Sequence, residues 1–302
     1  PENQKLWADN KEKMLAKYGP KGAGGLIHGP AYESAEVEDH VYSDGFNTQL
    51  AIATMKDHFA KKPKQPLFLA LGFTKPHLDF IAPKKYWDLY DPKAIQLASQ
   101  TQHPKDGAAT GLHASFELRT RHGIPKAGPI GDDLARTLLH GYYACVSYVD
   151  SLVGRLLKQL ETSGLAENTV VCLWGDHGFH LGEQGLWTKA NNYELSTRVP
   201  LILSVPRQAN PGAKTDALVE LVDVYPTLTE LCSMKTPGGL EGTSLLPLMK
   251  NPELPWKKAA FTQYPRSRKS HRHSGHGHFM GYAVRTDSHR YIEWREWKTR
   301  KI

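Results

Sequence analysis

Four side chains in this sequence are of the kinds that hold a metal ion and an oxyanion. Asp176 and His177 stand together in GDHGF, directly after the apolar run TVVCLW of residues 169–174. Lys189 follows twelve residues after His177 and precedes a second apolar run, PLILSV, at 200–205. His77 comes after a third run, LFLALGF at 67–73, behind Lys75 and Pro76. A carboxylate beside an imidazole can share a divalent cation, and on chemistry alone zinc suits the pair as well as calcium. A fixed ammonium neutralises an anionic ester and the charge that develops as its bond breaks. An imidazole that titrates near neutrality can protonate a leaving oxygen. Taken singly, each has a plain reading as a turn Asp, a loop His or a solvated Lys, so their combination carries the interest.

Apolar strands are the elements that would place them. Runs 67–73 and 169–174 lack polar alternation, which suits strands covered on both faces. In open α/β sheets, ligands bind beyond the carboxyl ends of strands. The two runs are therefore expected in one sheet, with His77, Asp176, His177 and Lys189 opening into one crevice. Gly175 and Gly178 let the backbone turn sharply around the Asp-His pair, and Pro76 restricts Lys75 and stiffens the approach to His77. Ser43 and Asp44 can cap a helix over 43–60, with Phe46, Leu50, Ile52, Met55 and Phe59 as its apolar positions. Leu134, Leu138, Tyr142, Cys145, Val149, Leu152, Leu156 and Leu160 predict a long helix over 133–163, closed by Gly164. Residues 217–222 read as a short strand and 226–231 as a helix entered at Pro226.

Residues 1–43 read as loop with one short helix, and 80–132 as a long irregular excursion of the kind that is often functional. Strands alternating with helices argue an α/β fold with a mostly parallel sheet between helices. Beyond about residue 250, FTQYP, MGYAVRT and RYIEWREW read as short antiparallel strands. The expected division is residues 1–250 as the main domain and 251–302 as the start of a small antiparallel subdomain.

The formal net charge of +7 favours anionic partners without choosing among them. No apolar run is long enough for a membrane span. Cys145, Cys172 and Cys232 lie in apolar segments without metal spacing and read as buried thiols. HRHSGHGH at 271–278, with Arg266, Arg268 and Lys269 nearby, reads as a solvated loop, an anionic-sugar contact or a metal-binding patch.

LALGFTKPHLDFIAP, GDHGFHLGEQGLWTK, RVPLI, LVDVYPTL, QYPR and MGYAVRT with RYIEW occur in order. Together they resemble the type I sulfatases, in particular the iduronate-2-sulfatase-like branch with its bacterial relatives. The resemblance implies an alkaline-phosphatase-like α/β fold and hydrolysis of sulfate esters, the expected substrates being sulfated sugars rather than nucleic acid. It implies a calcium ion (Ca2+) held in part by Asp176 and His177, a sulfate contact from Lys189, and His77 beside the leaving oxygen. Lys75, Trp187 and Arg266 are the expected substrate contacts, with Phe179 a further ring at the site's border. The family's nucleophile is a formylglycine made in a C/S-x-P-x-R motif, and no Cys or Ser here begins one. That residue and the first metal aspartates are expected on a missing N-terminal segment, and this chain alone is expected to be inactive. The other readings are a non-catalytic relative that binds sulfated glycans and a metal phosphodiesterase or phosphatase of the same superfamily. The compartment stays open, a periplasmic or secreted setting being the family's habit.

Overall fold

The computed structural model describes residues 2–23, 29–266 and 278–299. They form two compact units. One comprises residues 1–104, 114–163 and 181–188, and the other 105–113, 164–180 and 189–302.

The first unit is organised by the helix Asp132–Thr162, on the expected periodicity. Leu138, Ala144, Cys145, Tyr148 and Leu152 are fully buried along one face. Asp132 and Asp133 in the first turn suit the positive end of the helix dipole. The helix ends where Gly164 takes φ +67°, a left-handed closure that glycine adopts without steric cost. It packs on Phe80–Pro83, with Phe80 edge-on to Tyr142 at 5.7 Å between ring centroids.

Phe80–Pro83 is itself a strand, paired in parallel with Tyr32–Ala35 so that Tyr32 faces Phe80. Both fall in stretches read as irregular. The helix Ser43–Lys61 is present, but its start is not capped by a side chain. Its buried stripe is Thr48, Ala51 and Met55, whereas Phe46 and Leu50 are more than half exposed. One buried hydroxyl ties this helix to its neighbours. The Tyr148 hydroxyl accepts the Gly45 N–H at 2.8 Å and donates to the Asp39 carbonyl at 2.8 Å.

The strand expected at 67–73 is not formed. No ladder hydrogen bond reaches that run among the described residues, and Phe68 is 84% exposed. An apolar run becomes a strand only beside a partner, and none flanks it among the described residues. Near the N-terminus, the short helix expected is longer, Glu2–Ala23, and breaks from helical geometry at Gly19.

In the second unit, Val171–Trp174 pairs with Leu201–Ser204, Trp174 opposite Leu201. The pairing is antiparallel, so these two strands depart from the parallel arrangement expected of them. Both present apolar side chains to solvent, Trp174 at 47% and Ile202 at 59% exposure. The C-terminal strands are as expected: Ala260–Arg266, Phe279–Arg285 and Arg290–Glu296 form an antiparallel meander. Cys145 is buried, and burial pushes its thiol up to about 12, but Cys232 is exposed rather than packed inside.

Residues 217–222 do not form a strand. A single 3-10 turn, Leu221–Asp223, leads into the helix Val224–Leu231. The cause is local: Glu220 and Asp223 close a reciprocal capping box that turns the chain into the helix. The fully buried Asp223 carboxylate also accepts the Thr243 N–H at 2.7 Å and the Lys257 ammonium at 2.7 Å and 2.9 Å. Burial works against the Lys257 charge, but its bonds to Asp223 and Glu220 prevail and hold its pKa above the ordinary lysine value. Replacing Lys257 by Met leaves the Asp223 charge buried without its partner. We expect a loss of roughly 3 kcal/mol of stability, read from the urea midpoint of the variant.

Candidate functional site

His77 sits on a loop of the first unit that is held from two sides. Asp44, buried in the first turn of its helix, accepts the Thr74 N–H at 2.9 Å and the Lys75 N–H at 2.8 Å. The Lys75 ammonium donates to the carbonyls of His77 at 3.0 Å and Asp79 at 2.6 Å. Burial of this ammonium lowers its pKa. Arg121 binds the Asp79 carboxylate at 2.6 Å. Peptide bonds 75–76 and 78–79, on either side of His77, are cis. Its Nδ1 is 2.5 Å from the Leu78 carbonyl and its Nε2 is 3.5 Å from a Glu117 carboxylate oxygen. Both ring nitrogens thus face oxygen atoms of neighbouring groups.

Two of the expected substrate contacts, Lys75 and Trp187, have these surroundings in the structure. The Lys75 ammonium is engaged by backbone carbonyls, where it closes the His77 loop. Trp187 is 5% exposed and packs over Gly182, while its backbone N–H donates to the Ser115 hydroxyl at 2.9 Å.

Asp176 and His177 leave the end of Val171–Trp174 in the second unit. One Asp176 oxygen accepts the His177 N–H at 2.9 Å, and the other lies 3.7 Å from His177 Nε2. His177 Nδ1 is 2.9 Å from the Gly178 carbonyl, an oxygen that can only accept, so Nδ1 is the donor of that pair. Gly178 is required by close approach: a Cβ there would lie 2.0 Å from the Leu195 carbonyl oxygen. Its N–H donates to the Ser196 carbonyl at 2.9 Å. The Asp176 side chain is 84% exposed, so its carboxylate is open to an ion. The donors fit part of a metal shell. Among the described residues no group of three or more His, Cys, Asp or Glu side chains is placed to hold a metal. One carboxylate and one imidazole fall well short of the roughly six to eight oxygens that calcium takes.

Lys189 stands between Thr188 at φ +82° and Ala190 at φ +76°. Left-handed backbone at a β-branched residue is a true outlier, and each such residue costs on the order of 1–3 kcal/mol. The Lys189 ammonium lies 5.9 Å from the centroid of the Phe179 ring, two residues beyond His177. The loop that follows is tied at several points. Asn191 accepts the Tyr193 N–H at 2.8 Å, and Arg290 donates to the Asn192 carbonyl at 2.9 Å and to Glu194 at 2.7 Å. Burial works against the Glu194 charge, but Arg290 and Arg285 outweigh it and keep its pKa low.

Arg266, the third expected sugar contact, donates to the carbonyls of Leu112 and Ala190. Burial lowers its pKa. The His-rich patch lies outside the described residues except for His278. Asp44 reads in the sequence only as a helix cap, and no motif marks Glu117 or Arg121; their roles depend on contacts 30 or more positions away.

A sulfatase family model matches residues 3–234, and a model of the N-sulphoglucosamine sulphohydrolase C-terminal region matches 182–300. The iduronate 2-sulfatase of Mus musculus is 31% identical over 333 residues, covering 91% of this chain and 60% of that protein. A sulfatase of Formosa agariphila is 34% identical over 247 residues, covering 82% of this chain and 45% of that protein. The chain thus spans about half the length of the relatives it matches. Among solved structures, the phosphonate monoester hydrolase of Silicibacter pomeroyi superposes with a TM-score of 0.69 at 21% identity, over 95% of this chain and 62% of that one. BT4656, solved with its substrate D-glucosamine-2-N,6-O-disulfate, also gives 0.69 at 21% identity, over 85% and 63%. The fold is the alkaline-phosphatase-like α/β architecture expected from the sequence.

Proposed function

The chain belongs to the sulfatase family, and from that premise we propose that the protein of which it forms part hydrolyses sulfate esters, with a sulfated sugar as substrate. One observation supports this above others: the Lys189 ammonium lies over the Phe179 ring, two residues from the Asp176–His177 pair. A cation is thereby set close to the place where an ion would bind.

In this reading Lys189 pairs with the sulfate oxygens, whose negative charge grows as the ester bond breaks. Asp176 offers an oxygen and His177 its Nε2 to the calcium expected of the family, which supplies electrostatic stabilisation of the sulfate group when bound. The rest of that shell, and the formylglycine nucleophile, come from a further segment of the same polypeptide. The length of the relatives supports such a segment, and a C/S-x-P-x-R motif in the reading frame upstream of Pro1 is its direct test. His77 carries the proton for the leaving oxygen. The Glu117 carboxylate 3.5 Å from its Nε2 is the acidic group that faces it. Asp44 and Lys75 position it by fixing both sides of its loop.

The His77 role is checked by leaving-group dependence. His77→Ala should slow hydrolysis of a sulfated sugar by about a hundredfold or more, because its alkoxide leaves poorly without a proton. An activated aryl sulfate should lose far less. Equal losses on both substrates would remove His77 from the proton-transfer role.

A further inference from the structure

Arg266 ends the strand Ala260–Arg266, at the register position opposite Phe279. Two guanidinium nitrogens reach two separate stretches of the second unit, one donating to the Leu112 carbonyl and the other to the Ala190 carbonyl. The face of the guanidinium lies 5.2 Å from the centroid of the Trp294 ring, and Trp294 is itself 7% exposed. The Tyr264 ring lies 5.8 Å away. Stacking and forked donation together fix both the plane and the direction of this side chain.

The carbonyl it holds belongs to the residue directly after Lys189. That residue, Ala190, is buried and left-handed, as is Thr188 on the other side. A backbone in this state persists only when its surroundings over-determine it. Arg266 supplies such a constraint within one residue of the ammonium.

We propose that Arg266 is a positioning residue for Lys189, clamping the loop that carries it, and is not a contact to substrate. The proposal rests on the reading of Lys189 as the sulfate-binding cation. It explains why an arginine is needed: lysine keeps the charge but has no rigid fork to bridge two carbonyls set by different segments.

Backbone hydrogen exchange of this chain reads the clamp without any turnover. In R266K, amides 189–192 should exchange about tenfold faster or more, while the helix Val224–Leu231 keeps its rate. In the full-length protein, R266K should lower kcat/KM for a sulfate ester by about tenfold or more, since small misplacements of a charge-stabilising group are costly. Added to K189A, it should lower kcat/KM no further. Unchanged exchange at 189–192 in R266K overturns the clamp, whatever happens to turnover. Faster exchange throughout the second unit overturns it too, by assigning Arg266 to general stability. Additive losses in R266K/K189A overturn action through Lys189. Full activity in K189A alone strikes the sulfate-binding reading instead, and the exchange result then decides the clamp by itself.

Discussion

Lys189→Ala in the full-length protein is expected to lower kcat/KM for sulfate esters by about a hundredfold or more, the usual loss when one preorganised charge-stabilising contact is removed. The thermal midpoint should change little. The ammonium is on a half-buried side chain whose contact to the Phe179 ring is long, at 5.9 Å. Lys189→Arg should recover only part of the rate, because the wider guanidinium places its charge differently. Steady-state kinetics beside a melting curve separates the outcomes. A large fall in rate with an unchanged midpoint supports sulfate binding by Lys189, and a parallel fall in both would make it a structural residue.

A complete loss is expected for the 302-residue chain assayed by itself with calcium and an aryl sulfate. Without an aldehyde hydrate no covalent acceptor exists for the sulfuryl group, and no Cys or Ser in this sequence begins the motif from which one is made. Asp176 and His177 alone should also bind calcium weakly, since affinity in such sites follows the number of oxygen ligands. Calcium titration by calorimetry checks this independently of turnover. Turnover by the isolated chain that vanishes in Lys189→Ala would mean that a nucleophile other than formylglycine serves.

What could be read from the sequence follows physical range. The helix Asp132–Thr162 was legible because its apolar residues recur over eight turns and its closing glycine is adjacent in sequence. Asp176 and His177 were legible because a short strand delivers both. The run 67–73 was misread because apolar composition reports a preference for burial and says nothing of whether a partner strand is present. Tyr32–Ala35 and Phe80–Pro83 were missed because each has four residues and their pairing is non-local. For the candidate site, residue type points to loops but not to the atoms that their side chains reach. Lys75 and Arg266 read as sugar contacts because both are basic and near the motifs. Their donors go to backbone carbonyls instead, and carbonyl direction has no signature in sequence. Asp44 reads as a helix cap, yet its carboxylate reaches two amides 30 and 31 positions on.

Phosphonate monoester hydrolases share this fold, so substrate selectivity is the most direct test of the central claim, that Lys189 and the Asp176–His177 pair serve sulfate ester hydrolysis. The measurement is kcat/KM of the full-length protein on a sulfate monoester and on a phosphate diester with the same leaving group. The sulfate ester is expected to be preferred by about a hundredfold or more, with Lys189→Ala removing most of that preference. Preference for the diester, or a preference for sulfate that survives Lys189→Ala intact, would contradict it.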